Sequence, residues 1–467
     1  MNRKSALAVL VSFVGSAALV VSACDDSSLG GGTGGAASTG DGSNTTSTGA
    51  ANPTSGATST GQGGAPNKMV EEVTGSITSD RTLTANKDWL LKGIVLVEAG
   101  ATLTIEKGTK VMGDADSLGT LVVKQGGKLL AVGTKDEPVV FTSALPAGTR
   151  QSGDWGGVIL LGKAPINIVG GTASVEGLQA SEVYGGSDAN DASGQLSYVR
   201  IEFSGVELSP NNEINGLTFA GVGRGTKVDH VMVKSTLDDC FEFFGGTVDA
   251  KYLVCYRNGD DSFDTDNGYS GRLQYLFSQK DPTHGAEDNG FEWDNDKDSS
   301  NSTPATNPTV YNATLCGANH DLAKEQYGML LRRGTKGHIA NTFISGFEAC
   351  IDVRNPNTSV TLDHTVCVGN QPENVAYAED GSNIDTQVDD DMGFDERAWF
   401  TGGVGNTTAG AVVDCFGEVP NPRPTVTIPG ATPPSDGFFD ASASYVGAFK
   451  DGSDDWMTGN WINWEQN

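Results

Sequence analysis

Long apolar runs are scarce in this sequence. The stretch from Ala6 to Val21 is predominantly apolar, and no second segment approaches the ~20 residues that a membrane-spanning helix requires. Basic residues are also in deficit, with 30 Lys and Arg against 59 Asp and Glu, a net charge of −29. That balance argues against a nucleic-acid partner and against adsorption to anionic lipid. It suits cation binding, high ionic strength or a surface kept soluble by charge. No Cys-x-x-Cys pair occurs, which removes support for thioredoxin-like or thiolate-zinc chemistry. No local sequence marks a Ser-His-Asp or Cys-His arrangement, and the glycine pairs do not follow phosphate-loop spacing. Catalytic residues are therefore not identified.

What is present begins with an export signal. Arg3 and Lys4 precede the apolar run, which ends in Val21-Ser22-Ala23-Cys24. A charged start, a short hydrophobic span and small residues at the junction read as a signal peptide over residues 1–23. The four-residue ending resembles a bacterial lipobox, and the resemblance implies cleavage before Cys24 and lipidation of that residue. Residues 25–66 are mostly Gly, Ser, Thr, Ala and Asn with a few Asp, and Leu29 is the only large aliphatic. They cannot form a core, so residues 24–66 read as a lipidated cysteine and a flexible tether, with a reach of about 35–40 Å. The expected location is the cell envelope, at the outer membrane or cell surface rather than the inner membrane. The expected partner there is the membrane itself, through the lipid.

Residues 67–467 carry a solenoid pattern. Val95-Leu96-Val97 leads to Gly100, Thr102-Leu103-Thr104-Ile105 to Gly108, Leu121-Val122-Val123 to Gly126, and Leu129-Leu130-Ala131-Val132 to Gly133. These short β-branched strands are broken by glycine and lack the Asn-Gly or Asp-Gly turns of hairpins. A second signature recurs at Tyr198, His230, Tyr252, Gln274, Asn312, Asn341 and His364, each opening a short apolar strand. Steps of 22 residues plus insertions fit a β-helix coil better than the roughly 40–50 residues of a propeller blade. The expected fold is all-β, a right-handed parallel β-helix with variable loops at the bends. His230 and His364 share their slot with other polar residues, so the slot reads as a bend rather than a ligand position. Residues 369–436 break the rhythm and read as long loops. Trp456, Trp461 and Trp464 read as a C-terminal aromatic cap over the last coil, or alternatively as a sugar-binding platform.

The chemical signal lies between Asp238 and Asp298. Asp238-Asp239-Cys240-Phe241-Glu242, Asp260-Asp261-Ser262-Phe263-Asp264 and Asp288-Asn289-Gly290-Phe291-Glu292 align without gaps. In a parallel solenoid such positions stack about 4.8 Å apart. The three phenylalanines would then point inward, and Glu242, Asp264 and Glu292 outward. Carboxylates that close repel, and the remedies are raised pKa values or a bound cation. Oxygen-only ligands point to calcium, with Asp239, Asp260, Asp261, Asp264, Asp288, Glu292 and Asp294 as candidate ligands and Asp266, Asn295 and Asp296 nearby. The alternative is a solvated acidic face. Six cysteines remain after Cys24, an even number for an oxidising compartment; Cys367–Cys415 is an attractive pair because it would pin the late segment, and free buried thiols are the alternative.

The run Asn258-x-Asp260-Asp261-x-Phe263-Asp264 resembles the calcium motif of the ten-coil β-helical pectate lyases. The resemblance implies Asp260, Asp261 and Asp264 as ligands, with Asp239 from the preceding coil; Ser262 stands where those enzymes carry glycine. It also implies a lysine that abstracts a proton, and Lys251, Lys280 and Lys297 are near without a motif around them. Residues 89–467 further resemble secreted bacterial β-helix proteins and lipoproteins of no agreed activity. They share Gly153-Asp154-Trp155-Gly156-Gly157, Phe241-Glu242-Phe243-Phe244-Gly245-Gly246 and Asp455-Trp456-Met457. The resulting expectation is an envelope-anchored, calcium-stabilised extracytoplasmic protein with a binding or surface-structural role. The alternative is a calcium-dependent polysaccharide-active enzyme, specifically a lyase on acidic glycans, for which a basic side chain beside the metal would be needed; Arg200, Lys234, Lys251, Arg257 and Arg272 are the candidates.

Overall fold

A computed structural model describes residues 68–178, 182–209, 212–282, 289–297, 300–319, 326–355, 357–376, 394–410 and 413–467. The signal segment, Cys24, the tether and Asp288 lie outside the described residues. Successive short strands pair in parallel, each with its counterpart one coil further on. The result is a right-handed parallel β-helix with three ladders of strands, as the glycine spacing and β-branched content predict.

The ladder that carries the acids runs through Thr120–Val123, Gly157–Leu161, Leu217–Ala220, Phe241–Phe244, Phe263–Asp266, Phe291–Trp293, Tyr327–Leu331 and Ala349–Val353. Its inward row is Leu121, Val158, Leu217, Phe241, Phe263, Phe291, Met329 and Ile351, in exact register. The Phe241 and Phe263 rings stack at 5.4 Å, and Phe291 meets Phe263 edge-on at 5.9 Å. All three are fully buried, and this shared apolar row sets the register.

The other two ladders meet at a sharp bend. Tyr198, His230, Tyr252, Tyr275, Asn312, Asn341 and His364 occupy it, each with φ between 47° and 63°. One left-handed residue turns the strand from one sheet into the next. The slot in the fourth coil therefore belongs to Tyr275 and not Gln274, because Lys251 pairs with Gln274 and Leu253 with Leu276. The rings of Tyr198, His230, Tyr252 and Tyr275 stack at 4.3, 4.3 and 4.7 Å, so aromatic contact offsets the strained backbone. The bend role of His230 and His364 stands.

The C-terminal tryptophans do not cap the last coil. The outward row Met232, Val254, Phe277 and Phe343 is apolar, and Val446, Ala448, Phe449, Met457 and Trp461 cover it. The chain thus returns along the flank as a strap: Trp461 N donates to the Lys135 carbonyl at 3.2 Å and Asn463 to Glu202 at 2.9 Å. Trp461 is fully buried, which removes it as a sugar platform. Over the last coil lies instead the helix Glu396–Gly402, capped by Asp395, with Phe400 packed into the core.

The disulfides are Cys240–Cys255, Cys316–Cys415 and Cys350–Cys367, so the Cys367–Cys415 pair does not form. Cys415 does pin the late segment, but to Cys316 on the flank. Cys367 faces Cys350, 17 residues earlier and one sheet away.

Candidate functional site

The outward row of the acid-bearing ladder reads Val122, Ile159, Thr218, Glu242, Asp264, Glu292, Leu330 and Asp352. Its apolar beginning is roofed by Ile166, Val175, Tyr184 and Ile214 from the segments between strands. Where that roof ends, the row turns acidic and a cleft of about 560 Å³ opens. Glu242, Asp264 and Glu292 form its floor. Asp238, Asp239, Asp260 and Asp261 line one wall; Asp266, Asp294 and Asp296 also line it. Glu176 and Glu213 stand with Asp238 toward one end, and Arg332, Arg333 and Arg354 belong to the coils at the other.

The floor acids point away from the core, as alternation requires, but they are not a solvated face. Glu242 is only 4 % exposed, Asp264 and Glu292 are half-buried, and Asp294 beside them is 3 % exposed. The Asp264 Oδ1 atom is shut off from solvent and has no hydrogen-bond partner. Burial, then the charges of neighbouring carboxylates, pushes Asp239, Glu242, Asp264 and Glu292 well above the usual carboxylate range. The same causes push Asp238 up to about 8 and Asp266 to about 7.

The recurrence of Asp239, Asp261 and Asn289 has a structural reason besides any ligand. The Asp239 carboxylate accepts the Asp261 N–H at 2.7 Å, Asp261 accepts Asn289 N–H at 2.6 Å, and Asn289 accepts Tyr327 N–H at 3.0 Å. Each side chain thereby satisfies a backbone donor at the bend of the next coil. Asparagine serves this purpose as well as aspartate, which explains residue 289. It does not explain why the other two positions carry charge.

Three groups of carboxylates converge closely enough to hold a cation: Asp238 with Asp239 and Asp260, Asp239 with Glu242 and Asp264, and Asp261 with Asp264 and Glu292. Within each group the ligand oxygens lie within 4.8 Å of one another. Asp239 and Asp264 each belong to two groups. The site thus unites Asp239, Asp260, Asp261, Asp264 and Glu292. Asp294 lies on the same cleft, but both its oxygens engage arginines, Arg332 Nε at 2.9 Å and the Arg333 guanidinium.

Of the basic residues named from the sequence, the cleft takes Lys297, and its arginines are others. Arg200 and Lys234 hold the strap, donating to the carbonyls of Asn460 and Glu465. Arg272 pairs with Asp249 and Asp436, Lys251 lies over the Phe438 ring, and Arg257 pairs with Asp281. Lys280 is fully buried and donates to the Asp260 carbonyl from behind the wall. Lys297 does line the cleft. Arg332 was hidden by the 38-residue step from Asp294, yet Gly328-Met329-Leu330-Leu331-Arg332 aligns with Gly290-Phe291-Glu292-Trp293-Asp294 once the insertion is set aside.

A family model for the pectate-lyase-like β-helix domain matches residues 75–412. The chain belongs to that family. No curated protein and no solved structure matches it. Within the family domain lie all the acidic residues of the cleft, together with Arg332, Arg333 and Arg354.

Proposed function

We propose that the cleft binds calcium and that the protein works as an extracytoplasmic binding or surface-structural protein held to the cell envelope by lipid on Cys24. The observation that carries this reading is the sharing of Asp239 and Asp264 among three convergent carboxylate groups. A solvated face would spread such charges apart. Here they are stacked and, at Asp239, Glu242 and Asp261, buried, which destabilises the fold unless an ion enters. Hard, oxygen-only ligands at a partly adaptable bend suit calcium better than magnesium, which demands stricter geometry. The roles of Asp239, Asp260, Asp261, Asp264 and Glu292 as ligands belong to this proposal, as do those of Asp288 and Asp294. Calorimetric titration of calcium into chelator-stripped full-length protein tests it: saturable binding below millimolar concentration, with a matching rise in melting temperature, is the expected result. Absence of heat at millimolar calcium and identical melting in chelator refutes it.

A second reading, a calcium-dependent enzyme on acidic glycans, is favoured by Arg332, Arg333, Arg354 and Lys297 on the same cleft. Guanidinium groups beside a bound cation would meet carboxylates of a polyanionic ligand. Calcium-dependent cleavage of an acidic polysaccharide, lost in Arg332→Ala, would place this reading first.

A further inference from the structure

The row of carboxylates is not compensated evenly along its length. Upstream, Glu242 meets a neutral amide, Asn215, and Asp264 leaves one oxygen without any partner. Downstream the picture changes within one coil. Arg332 donates through one nitrogen to Glu292 Oε1 and through Nε to Asp294 Oδ1, while Arg333 takes Asp294 Oδ2. The register makes this unavoidable: Trp293 pairs with Leu331, so Asp294 and Arg332 are stacked neighbours. Glu292 is also one of the three residues of the last convergent carboxylate group, with Asp261 and Asp264. A guanidinium therefore sits on an oxygen of a residue that a cation would use.

We infer that Arg332 is a built-in counter-cation that competes with a divalent ion for the Asp261–Asp264–Glu292 position, and so sets where the row of bound ions ends. This inference rests on the cation reading of the cleft proposed above. Its physical basis is that one carboxylate oxygen cannot be held by a charge-assisted hydrogen bond and by a close divalent ion without repulsion between the two cations. The upstream group, Asp239 with Glu242 and Asp264, meets no such competitor among the described residues and fills first. Occupation of the last position requires the guanidinium to leave Glu292. Asp294 remains its second partner, so the side chain has a place to pivot rather than a need to unfold.

The test is calcium titration of the full-length protein and three variants, followed by calorimetry with thermal melting as a check on folding. Arg332→Gln removes charge and fork. Arg332→Lys keeps the charge but loses the two-pronged grip. Arg354→Gln removes an equal charge from the same cleft, at a residue paired with Asp352, two coils beyond Glu292 and in none of the three convergent groups. Direct competition predicts that the weakest calcium step tightens about tenfold in Arg332→Gln, the worth of one charge-assisted hydrogen bond. It also predicts a smaller tightening in Arg332→Lys and little change in Arg354→Gln. Equal tightening in Arg332→Gln and Arg354→Gln, with Arg332→Lys unchanged, overturns the inference, because a general field effect then suffices. A parent that binds calcium and an Arg332→Gln variant that binds it no better overturns it too. No calcium heat in any of the proteins overturns the cation reading and this inference together.

Discussion

Stripping the protein of divalent ions should make its stability fall as pH rises, the opposite of what paired carboxylates do. Asp261 shows why. The residue is 4 % exposed and faces Asp260, Asp239 and Asp264, against Lys280, a hydrogen bond with Glu292 and the Asn289 N–H on the favourable side. Burial and then Asp260 push it up to about 7, from an ordinary 3.8. A raised acid binds its proton more tightly folded than unfolded, so stability is lost as pH climbs from the unfolded value through the folded one. For Asp261 alone the loss by pH 8 is on the order of 4 kcal/mol at about 1.4 kcal/mol per unit. In a chain this long that corresponds to a fall of several degrees in melting temperature, at about 1–2 °C per kcal/mol. Calcium binds the ionised form, so its stabilising effect should be largest at pH 8 and fade toward pH 5.5, where protons compete for the same oxygens. The assay is melting by near-ultraviolet circular dichroism at pH 5.5, 6.5, 7.5 and 8.5, in chelator and in millimolar calcium. Melting in chelator that is flat or rises over this range, with a calcium increment that does not depend on pH, would refute the reasoning.

Three further outcomes follow from the same geometry. Asp264→Asn should weaken calcium binding at least about tenfold, since the residue belongs to two carboxylate groups, yet raise the melting temperature in chelator by removing an unpaired charge; calorimetry and melting together check both signs. Replacing Cys316 and Cys415 by Ser should loosen the strap over the Met232–Phe343 row and cost about 2–5 kcal/mol, read as faster proteolysis after residue 413 with the calcium response kept. Cys24→Ala should shift the protein out of the detergent-extracted membrane fraction; unchanged partitioning refutes the lipid anchor.

The fold was legible because its signals are local. Glycine at fixed short intervals, β-branched strands and the phenylalanines at 241, 263 and 291 all report one coil each, and the structure stacks them as the spacing predicts. The slip at Gln274 has a simple cause: Tyr275 opens a coil one residue longer than its predecessor, and a polar neighbour stood in the expected slot. The disulfides and the strap were not legible. The strap and the Cys316–Cys415 bond join residues about 100 to 320 positions apart, as Gly148 and Asn467 also are, and no periodicity encodes those; Cys240–Cys255 and Cys350–Cys367 are 15 and 17 residues apart but link different sheets, which spacing alone does not select. Arg332 falls between the two cases, since its register is local but an insertion conceals it.

The acidic row also shows where the sequence departs from the rule that makes the rest of the solenoid readable. Elsewhere long stretches of the outward rows are apolar and covered, as Val122 and Ile159 are under Tyr184 and as Val254 and Phe277 are under the strap. Glu242 is acidic and yet buried, and Asp264 and Glu292 beside it are half-buried, a local conflict between pattern and packing. Such conflicts survive where something outside the chain resolves them. The inward neighbours Phe241, Phe263 and Phe291 are fully buried, so the conflict is not one of poor packing. The Asp239–Asp261–Asn289 ladder fixes the bend from the other side. A packed floor and a hydrogen-bonded wall thus keep mutually repelling carboxylates close together, an arrangement that suits a cation site better than a solubility face.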